Sequence, residues 1–538
     1  MSFLADKRVL VVDDSSLILS AIKLMLLKKG AQSSNIILAK DAKTTINACQ
    51  TRAFDFILFD YNLGQGADGL QLLAYLTMAQ LIAKHCVIYI VTAEQTRQVV
   101  HGFSEWNPDG YLVKPFNINH ILPRMVACYK KKQALIELEA HFLKTGMTAA
   151  SNYLQRLHDK PYYIDYKIQL LTWDGQITAA KALLSTRMAE GDVTAVLNYA
   201  NWLLAQNAPV DAFSLAQPLL SDNRLRLSAL EVCAYSCLTQ GKLQHAYDYL
   251  SQMNEISPAN PQRLLIQFNL ATILNNYEQM QQSVIRYQKA TRHLSWLNID
   301  CQFNLLRCLL VQLEALAKNT ADAAFTRLER DYLQQRLLIL QNPRAAHIQS
   351  ILHVLDARLA LCKNERQQAV QIIARYTEYE RYIELPFYCQ LDIVHLYRRL
   401  MRPLPSFIAQ LAKPEQSQAL LLQNSLRYTT MYQQQLNAQL RSIKTLDSKG
   451  LHMQAVHLCL NTVDKYGINI SLAKALIRGF SKAIPLDIAP VKLKHYYQLA
   501  KHCLTTNTAQ QNNELYFKYC RYIESTVAFL HTDIEVAV

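Results

Sequence analysis

Arg8-Val-Leu-Val-Val-Asp-Asp14 decides the fold. Four consecutive aliphatic residues leave no polar face, so as a strand the run must be covered on both sides. Two acids then close it. The pattern returns in Asn35-Ile-Ile-Leu38, Phe54-Asp-Phe-Ile-Leu-Phe-Asp60, Val87-Ile-Tyr-Ile-Val-Thr92 and Tyr111-Leu-Val113, all short, apolar and β-branched or aromatic. Between them Ser16–Lys28 and Leu70–Lys84 carry helical spacing. Buried strands alternating with helices predict an α/β domain over residues 1–125, a doubly wound five-stranded parallel sheet with helices on both faces.

In such sheets the ligand site lies just beyond the carboxyl ends of the strands. Asp13 and Asp14 close the first strand, Asp60 the third, Thr92 the fourth and Lys114-Pro115 the fifth. Three carboxylates at one edge stay ionised together only with a cation among them; otherwise one of them must take up a proton. Hard oxygen ligands with room for water suit Mg²⁺. A lysine and a hydroxyl opposite them would surround a phosphoryl group, and a carboxylate attacking phosphorus gives an acyl phosphate. Taken singly, an Asp after a strand is a turn former or helix cap, Thr92 a strand end, Lys114 a surface charge and Tyr111 a core residue. Their order on successive strand ends carries the signal.

Residues 1–125 resemble the receiver domain of two-component response regulators, in Val11-Val12-Asp13-Asp14-Ser15, Leu58-Phe59-Asp60, Val91-Thr92-Ala93 and Tyr111-Leu112-Val113-Lys114-Pro115. The resemblance implies a flavodoxin-like fold with Asp60 as phosphoacceptor. It implies Mg²⁺ held by Asp14, Asp60 and the backbone carbonyl of Asn62, with Asp13 acting through water. Thr92 and Lys114 would bind the phosphoryl group, Tyr111 would turn inward on modification, and Asn62 and Glu94 would tune phosphoryl lifetime. The implied donor is a sensor histidine kinase or phosphotransfer protein, and pairing of two receivers into a homodimer is also implied. The loop after Asp60 departs from the family: Gly64 stands where Pro is usual, and Gly69 falls one residue later than the common spacing.

Beyond residue 116 the chain changes character. Six of the 13 glycines precede residue 111 and none lies between Gly241 and Gly450, which suits stacked helices rather than tight sheet turns. Ile121–Lys144 reads as one long helix, so residues 126–146 form a linker helix out of the first domain, with Lys130-Lys131-Lys132 as a solvated face. A turn residue followed five positions later by an inward residue recurs as Gly175/Ala180, Asn207/Ala212, Gly241/Ala246 and Asn275/Met280, at spacings of 32, 34 and 34. Gly and Asn tolerate the left-handed turn between antiparallel helices, and a small residue lets them approach. Gly241 to Pro258 resembles the tetratricopeptide repeat. Residues 147–538 are therefore expected to be an all-α repeat domain, clearest over 165–295. Degenerate copies at Asn319/Ala324, Asn364/Ala369 and Gly450/Ala455 follow, with Pro403, Pro405 and Pro414 interrupting the pattern. Stacked helix pairs offer a groove to a protein partner.

The chain of 538 residues is 51% hydrophobic and 18% charged, ample for buried cores and too apolar for disorder. No run approaches a membrane span, the first residues lack a secretory pattern, and no Cys-x-x-Cys occurs among the 12 cysteines; a cytoplasmic protein with reduced, buried thiols is expected. The net charge of +14 is spread thinly: 12 Lys and Arg against 10 Asp and Glu in residues 1–125, and 44 against 32 beyond. A concave face lined with that excess would bind RNA or DNA; the same charges dispersed are a solvated surface. His245, His293, His347 and His353 form no metal spacing, and no Gly-rich phosphate loop or Ser-His-Asp pattern stands out. The reading is a bacterial signalling protein, not an enzyme, in which phosphorylation of Asp60 switches a helical domain that binds a protein partner.

Overall fold

The computed structural model describes residues 2–64, 66–93, 99, 102–103, 105–293, 299–316, 323–341, 348–363, 365–400, 402, 404–410, 417–507 and 514–526. The chain forms two compact units: Met1–Phe268 with Gln282–Cys301, and Asn269–Gln281 with Gln302–Val538.

The first unit opens with the α/β domain. Strands β1 (Val9–Val12), β2 (Ile36–Ala39), β3 (Phe56–Phe59), β4 (Val87–Thr92) and β5 (Gly110–Val113) pair in parallel, in the order β2-β1-β3-β4-β5. Helices α1 (Ser16–Lys28), α2 (Ala42–Thr51) and α3 (Gly69–Met78) lie between them, and α4 (Ile118–Thr145) follows β5. The alternation of side chains along each strand splits the core in two. Leu10, Val12, Ile57, Phe59, Ile88 and Ile90 face α2 and α3, while Val9, Val11, Phe56, Leu58, Val87 and Val91 face α1 and the start of α4. Each fully buried aliphatic side chain contributes about 1.5–3 kcal/mol, so both layers are needed to hold the sheet.

Capping sets where the helices start. Ser15 accepts from the Ile18 amide ahead of α1, and Asp41 with Thr44 and Asp68 with Gln71 form capping boxes ahead of α2 and α3. The helix read over Leu70–Lys84 stops at Met78, because Gln80 turns left-handed (φ +53°) and the Leu81 amide bonds back to the Leu76 carbonyl.

Helix α4 serves two cores. Ile118, Ile121 and Met125 pack under the sheet, whereas Ala134 and Leu138 pack with Ala150, Leu154, Tyr166 and Leu170 of the helices that follow. The lysine run on it is not uniformly solvated: Lys130 and Lys131 are exposed, but Lys132 donates to Asp109 and to the Cys86 carbonyl, both at 2.6 Å.

Everything described beyond α4 is helical. Helices α5 (Met147–Gln155), α6 (Tyr163–Trp173), α7 (Ile177–Ala189), α8 (Val193–Ala205), α9 (Pro209–Ala216), α10 (Arg226–Thr239), α11 (Leu243–Ile256), α12 (Pro261–Leu274) and α13 (Tyr277–Thr291) follow in order. Gly175, Asn207, Gly241 and Asn275 all have positive φ and join α6 to α7, α8 to α9, α10 to α11 and α12 to α13. Ala180, Ala212, Ala246 and Met280 are buried, and Pro258 lies in the link between α11 and α12.

In the second unit helix length varies widely, from the five-residue Tyr379–Ile383 to the 32-residue Ser417–Ser448. Gly450 (φ +76°) does turn Ser417–Ser448 into His452–Tyr466, with Ala455 buried, and Ala369 is buried in Arg366–Ala374. At Ala323–Leu340 the buried residue is Phe325 rather than Ala324, a register one position later than the sequence suggests, because the larger ring takes the inward position. Asn319, His347, Asn364, Pro403 and Pro414 lie outside the described residues. The cysteines form no disulfide, and all but Cys128 are buried. Among the described residues no helix is long and apolar enough to cross a membrane.

Candidate functional site

Parallel strands that all run the same way deliver their last residues to one edge, and register fixes which ones meet. Val12 pairs with Phe59, so Asp13 and Asp60 emerge side by side; Thr92 pairs with Val113, so Lys114 emerges beside them. Lys114 Nζ donates to Asp13 Oδ2 at 2.5 Å and to Asp60 Oδ2 at 2.8 Å. Asp13, Asp60 and Thr92 are buried, Asp14 is exposed and Lys114 is half-buried. Carboxylate oxygens of Asp13, Asp14 and Asp60 all lie within 4.8 Å of one another.

Backbone groups finish the arrangement. The Ser15 amide donates to Asp13 Oδ1 at 2.9 Å, and the Tyr61 amide to Asp60 Oδ1 at 2.7 Å. Each buried acid thus has one oxygen on an amide and the other on the Lys114 ammonium. Burial pushes the Asp13 carboxyl above its ordinary value, against the pull of Lys114 and the Ser15 amide. Burial also works against the charge of Lys114, but its bonds to Asp13 and Asp60 outweigh that and hold its pKa above the usual lysine value. The edge is a tightly held charge cluster in which one ammonium partly neutralises the two buried acids, with Asp14 open to solvent beside them.

The loop after Asp60 closes it. Gly64 has φ +74°, which no proline reaches, so the departure from the usual Pro is a different loop conformation and not a neutral exchange. The Gly69 amide donates to the Tyr61 carbonyl at 2.7 Å, bringing the start of α3 against the backbone of Asp60. Asn62 is exposed, and its side chain accepts from the Gly64 amide at 3.2 Å. Tyr111 is half-buried against the core layer that contains Phe59 and Phe103. Glu94 lies outside the described residues.

The structure therefore brings together Asp13, Asp14, Asp60 and Lys114 from three places in the sequence and puts Thr92 on the strand next to Lys114. The sequence reading missed the Ser15 and Tyr61 amides. For Ser15 the sequence signals only the side-chain helix cap on Ile18, not the amide bond to Asp13. For Tyr61 there is no signal, because a backbone donor leaves no trace in side-chain identity.

Hard carboxylate oxygens this close suit a small divalent cation, and the donor set fits Mg²⁺. With a phosphoryl group placed among them, one acid is positioned as nucleophile and the ammonium as the counter-charge for the transferred group.

Residues 9–125 match the family described as response regulator receiver domain. Chemotaxis protein CheY of Pseudomonas aeruginosa is 32% identical over 109 residues, which are 20% of this chain and 85% of that protein. Chemotaxis protein CheY-3 of Vibrio cholerae is 30% identical over 109 residues, 20% of this chain and 81% of that protein. Among solved structures, a CheY-like response regulator receiver domain protein from Methanospirillum hungatei is 23% identical, covers 24% of this chain and 96% of that one, and superposes with a TM-score of 0.22.

Proposed function

The chain belongs to the response regulator receiver family through residues 9–125, and from that premise we propose that Asp60 accepts a phosphoryl group and thereby switches the helical domain. The observation that carries the reading is the Lys114 ammonium shared between Asp13 and Asp60. It gives the strand edge a fixed cation at the place where phosphoryl charge would develop.

In the proposed reaction an Asp60 carboxylate oxygen attacks the phosphorus of a phosphohistidine donor. The P–N bond breaks, the imidazole leaves, and an acyl phosphate remains on Asp60. Lys114 then moves part of its hydrogen bonding from the Asp60 carboxylate to a phosphoryl oxygen. Thr92, buried at the end of β4, would donate its hydroxyl to a second phosphoryl oxygen. Asp13, Asp14, Asp60 and the Asn62 carbonyl would hold Mg²⁺, which when bound offsets the charge of the acids and of the transferred group. Sensor histidine kinases or phosphotransfer proteins are the donors that this family interacts with, and either would present this chain with a phosphohistidine.

The output reading rests on the helical domain. Left-handed turns at Gly175, Asn207, Gly241 and Asn275, each followed by a buried Ala or Met, favour helix pairs of the tetratricopeptide type. Such pairs bind a segment of another protein. A modification that changes a two-state balance by a few kcal/mol is enough to alter which face is available.

Incubating the full chain with acetyl phosphate and Mg²⁺ and measuring the intact mass tests the receiver reading. One added phosphoryl group is expected, abolished by Asp60→Asn; an unchanged mass for the unaltered chain overturns it.

A further inference from the structure

Glu105 lies two residues beyond Phe103, in the segment that leads into β5. Its carboxylate leaves the receiver: Oε2 accepts from Arg263 Nη1 at 2.6 Å and from the Asn260 side-chain amide at 2.5 Å. Both partners of the ion pair are withdrawn from water, with 5% of the Arg263 side chain and 8% of the Glu105 side chain exposed. Arg263 is fixed for this contact by residues of its own neighbourhood. Its Nε donates to Asn254 Oδ1 at 2.7 Å and its Nη2 to the Ser257 carbonyl; Asn254 donates in turn to Gln267, and Gln267 to Ser251. A guanidinium held this way is pre-organised to take a carboxylate.

Two further contacts join the same parts of the chain. Gln71, in the first turn of α3, donates to the Ala290 carbonyl at 3.0 Å, and Ala259 packs on the receiver core layer, as do Tyr61, Trp106 and Tyr111. Both receiver contacts connect to the candidate phosphoacceptor through Tyr61. Tyr61, whose amide bonds Asp60, packs its ring edge-on against Phe103 at 6.1 Å, and its carbonyl accepts from Gly69 at the start of α3. Among the described residues Glu105 Oε1 is buried without a hydrogen-bond partner. A carboxylate that engages one oxygen only is held less firmly than its short ion pair alone would give.

We infer that Asn254, Asn260 and Arg263 form a socket for the receiver's own Glu105, so that this part of the helical domain has a resident partner within the chain, and that loading of Asp60 empties the socket. The second half rests on Asp60 being the phosphoacceptor; the socket itself does not. Reorienting the Asp60 side chain around a phosphoryl group disturbs the Tyr61 amide, and Tyr61 is the common support of α3 and of Phe103. Linkage makes the effect reciprocal: if loading empties the socket, emptying it by mutation favours loading by the same factor.

Hydrogen–deuterium exchange on the full chain tests both halves, read over residues 254–264 and 105–110. Glu105→Lys is expected to speed exchange in both segments about tenfold while leaving the rest of the helical domain unchanged, and to raise the phosphorylated fraction at limiting acetyl phosphate. Glu105→Gln, which keeps the shape and one hydrogen bond, should give a smaller change in the same direction and serves if the lysine variant misfolds. Acetyl phosphate with Mg²⁺ should reproduce the faster exchange in the unaltered chain and not in Asp60→Asn. Unchanged exchange at 254–264 in both Glu105 variants overturns the socket. Faster exchange in the variants, with a phosphorylated wild-type chain whose exchange is unchanged or slowed, overturns the emptying. If intact mass shows no phosphoryl group while the Glu105 variants still open the segment, the phosphoacceptor reading fails and the socket stands.

Discussion

Gly69 faces the backbone of Asp60 so closely that a Cβ on it would lie 2.0 Å from the Asp60 carbonyl oxygen. The carbonyl carbon of Asp60 and the Cα of Tyr61 are the next atoms such a group would meet, at 2.9 and 3.0 Å. All three belong to backbone, so nothing can rotate out of the way.

Gly69→Ala should therefore displace the acceptor loop, costing roughly 1–3 kcal/mol of receiver stability and slowing phosphoryl uptake. Calorimetry and the initial rate with acetyl phosphate check it. Gly102→Ala is the control: the three atoms nearest its Cβ would all belong to the Leu70 side chain, the closest at 2.5 Å, which can turn aside, so a smaller loss is expected.

Restoring the residue usual in the family should harm this protein. Gly64 sits at φ +74°, whereas a proline ring fixes φ near about −65°, so Gly64→Pro is expected to cost roughly 1–3 kcal/mol. Gly64→Asn, which tolerates the left-handed region, should be nearly neutral because a Cβ there meets Asp14 Oδ2 only at 3.5 Å. Equal melting temperatures for the two variants would sink the argument.

The second compact unit holds a buried chain of charges. Asp392 accepts from Arg307 Nε at 2.8 Å, Arg307 Nη2 at 2.9 Å and Arg358 Nη1 at 3.1 Å; Glu314 accepts twice from Arg358. The side chains of Arg307, Arg358, Asp392 and Glu314 are 0% exposed. Asp392→Asn leaves the Arg307 guanidinium buried without its carboxylate, while Arg358 keeps Glu314, and should destabilise this unit by about 3–5 kcal/mol in urea titration. A loss under about 1 kcal/mol would mean that the chain of charges relaxes or hydrates freely.

His395 gives the same unit a pH dependence. Burial, followed by the field of Arg398 and its neighbours, holds its pKa well below the ordinary 6.5. Its Nδ1 takes a hydrogen bond from Arg398 at 2.8 Å, which keeps the proton on Nε2. Below pH 6.5 the unfolded chain binds a proton at this residue that the folded chain does not, so stability falls with pH, by up to about 1.4 kcal/mol per unit, until the lowered folded pKa is reached. His395→Gln should flatten that part of the profile. Parallel profiles for the two proteins would show that His395 titrates normally.

The sheet was legible because each strand is an unbroken apolar run closed by a turn or a functional residue, and burial on both faces admits few other readings. Asp13, Asp60 and Lys114 were legible as a cluster only through topology: parallel strands must end at one edge. The boundary of α3 was not legible, since Gln80 adopts a left-handed conformation that its composition does not favour. Glu105 and Arg263 were not legible at all. They are 158 residues apart, and a single Glu and a single Arg carry no spacing by which sequence could pair them.

By itself, then, the order of residues determined the α/β layering, the acids and lysine at the strand ends, and the helix pairs marked by Gly and Asn turns, because these follow from local periodicity and backbone preference. Only the tertiary structure decided which oxygen Lys114 shares with which acid, why Gly69 admits no side chain, and where Glu105 is held. Those depend on contacts between distant segments, and contact energies are fixed by three-dimensional proximity rather than by position along the chain.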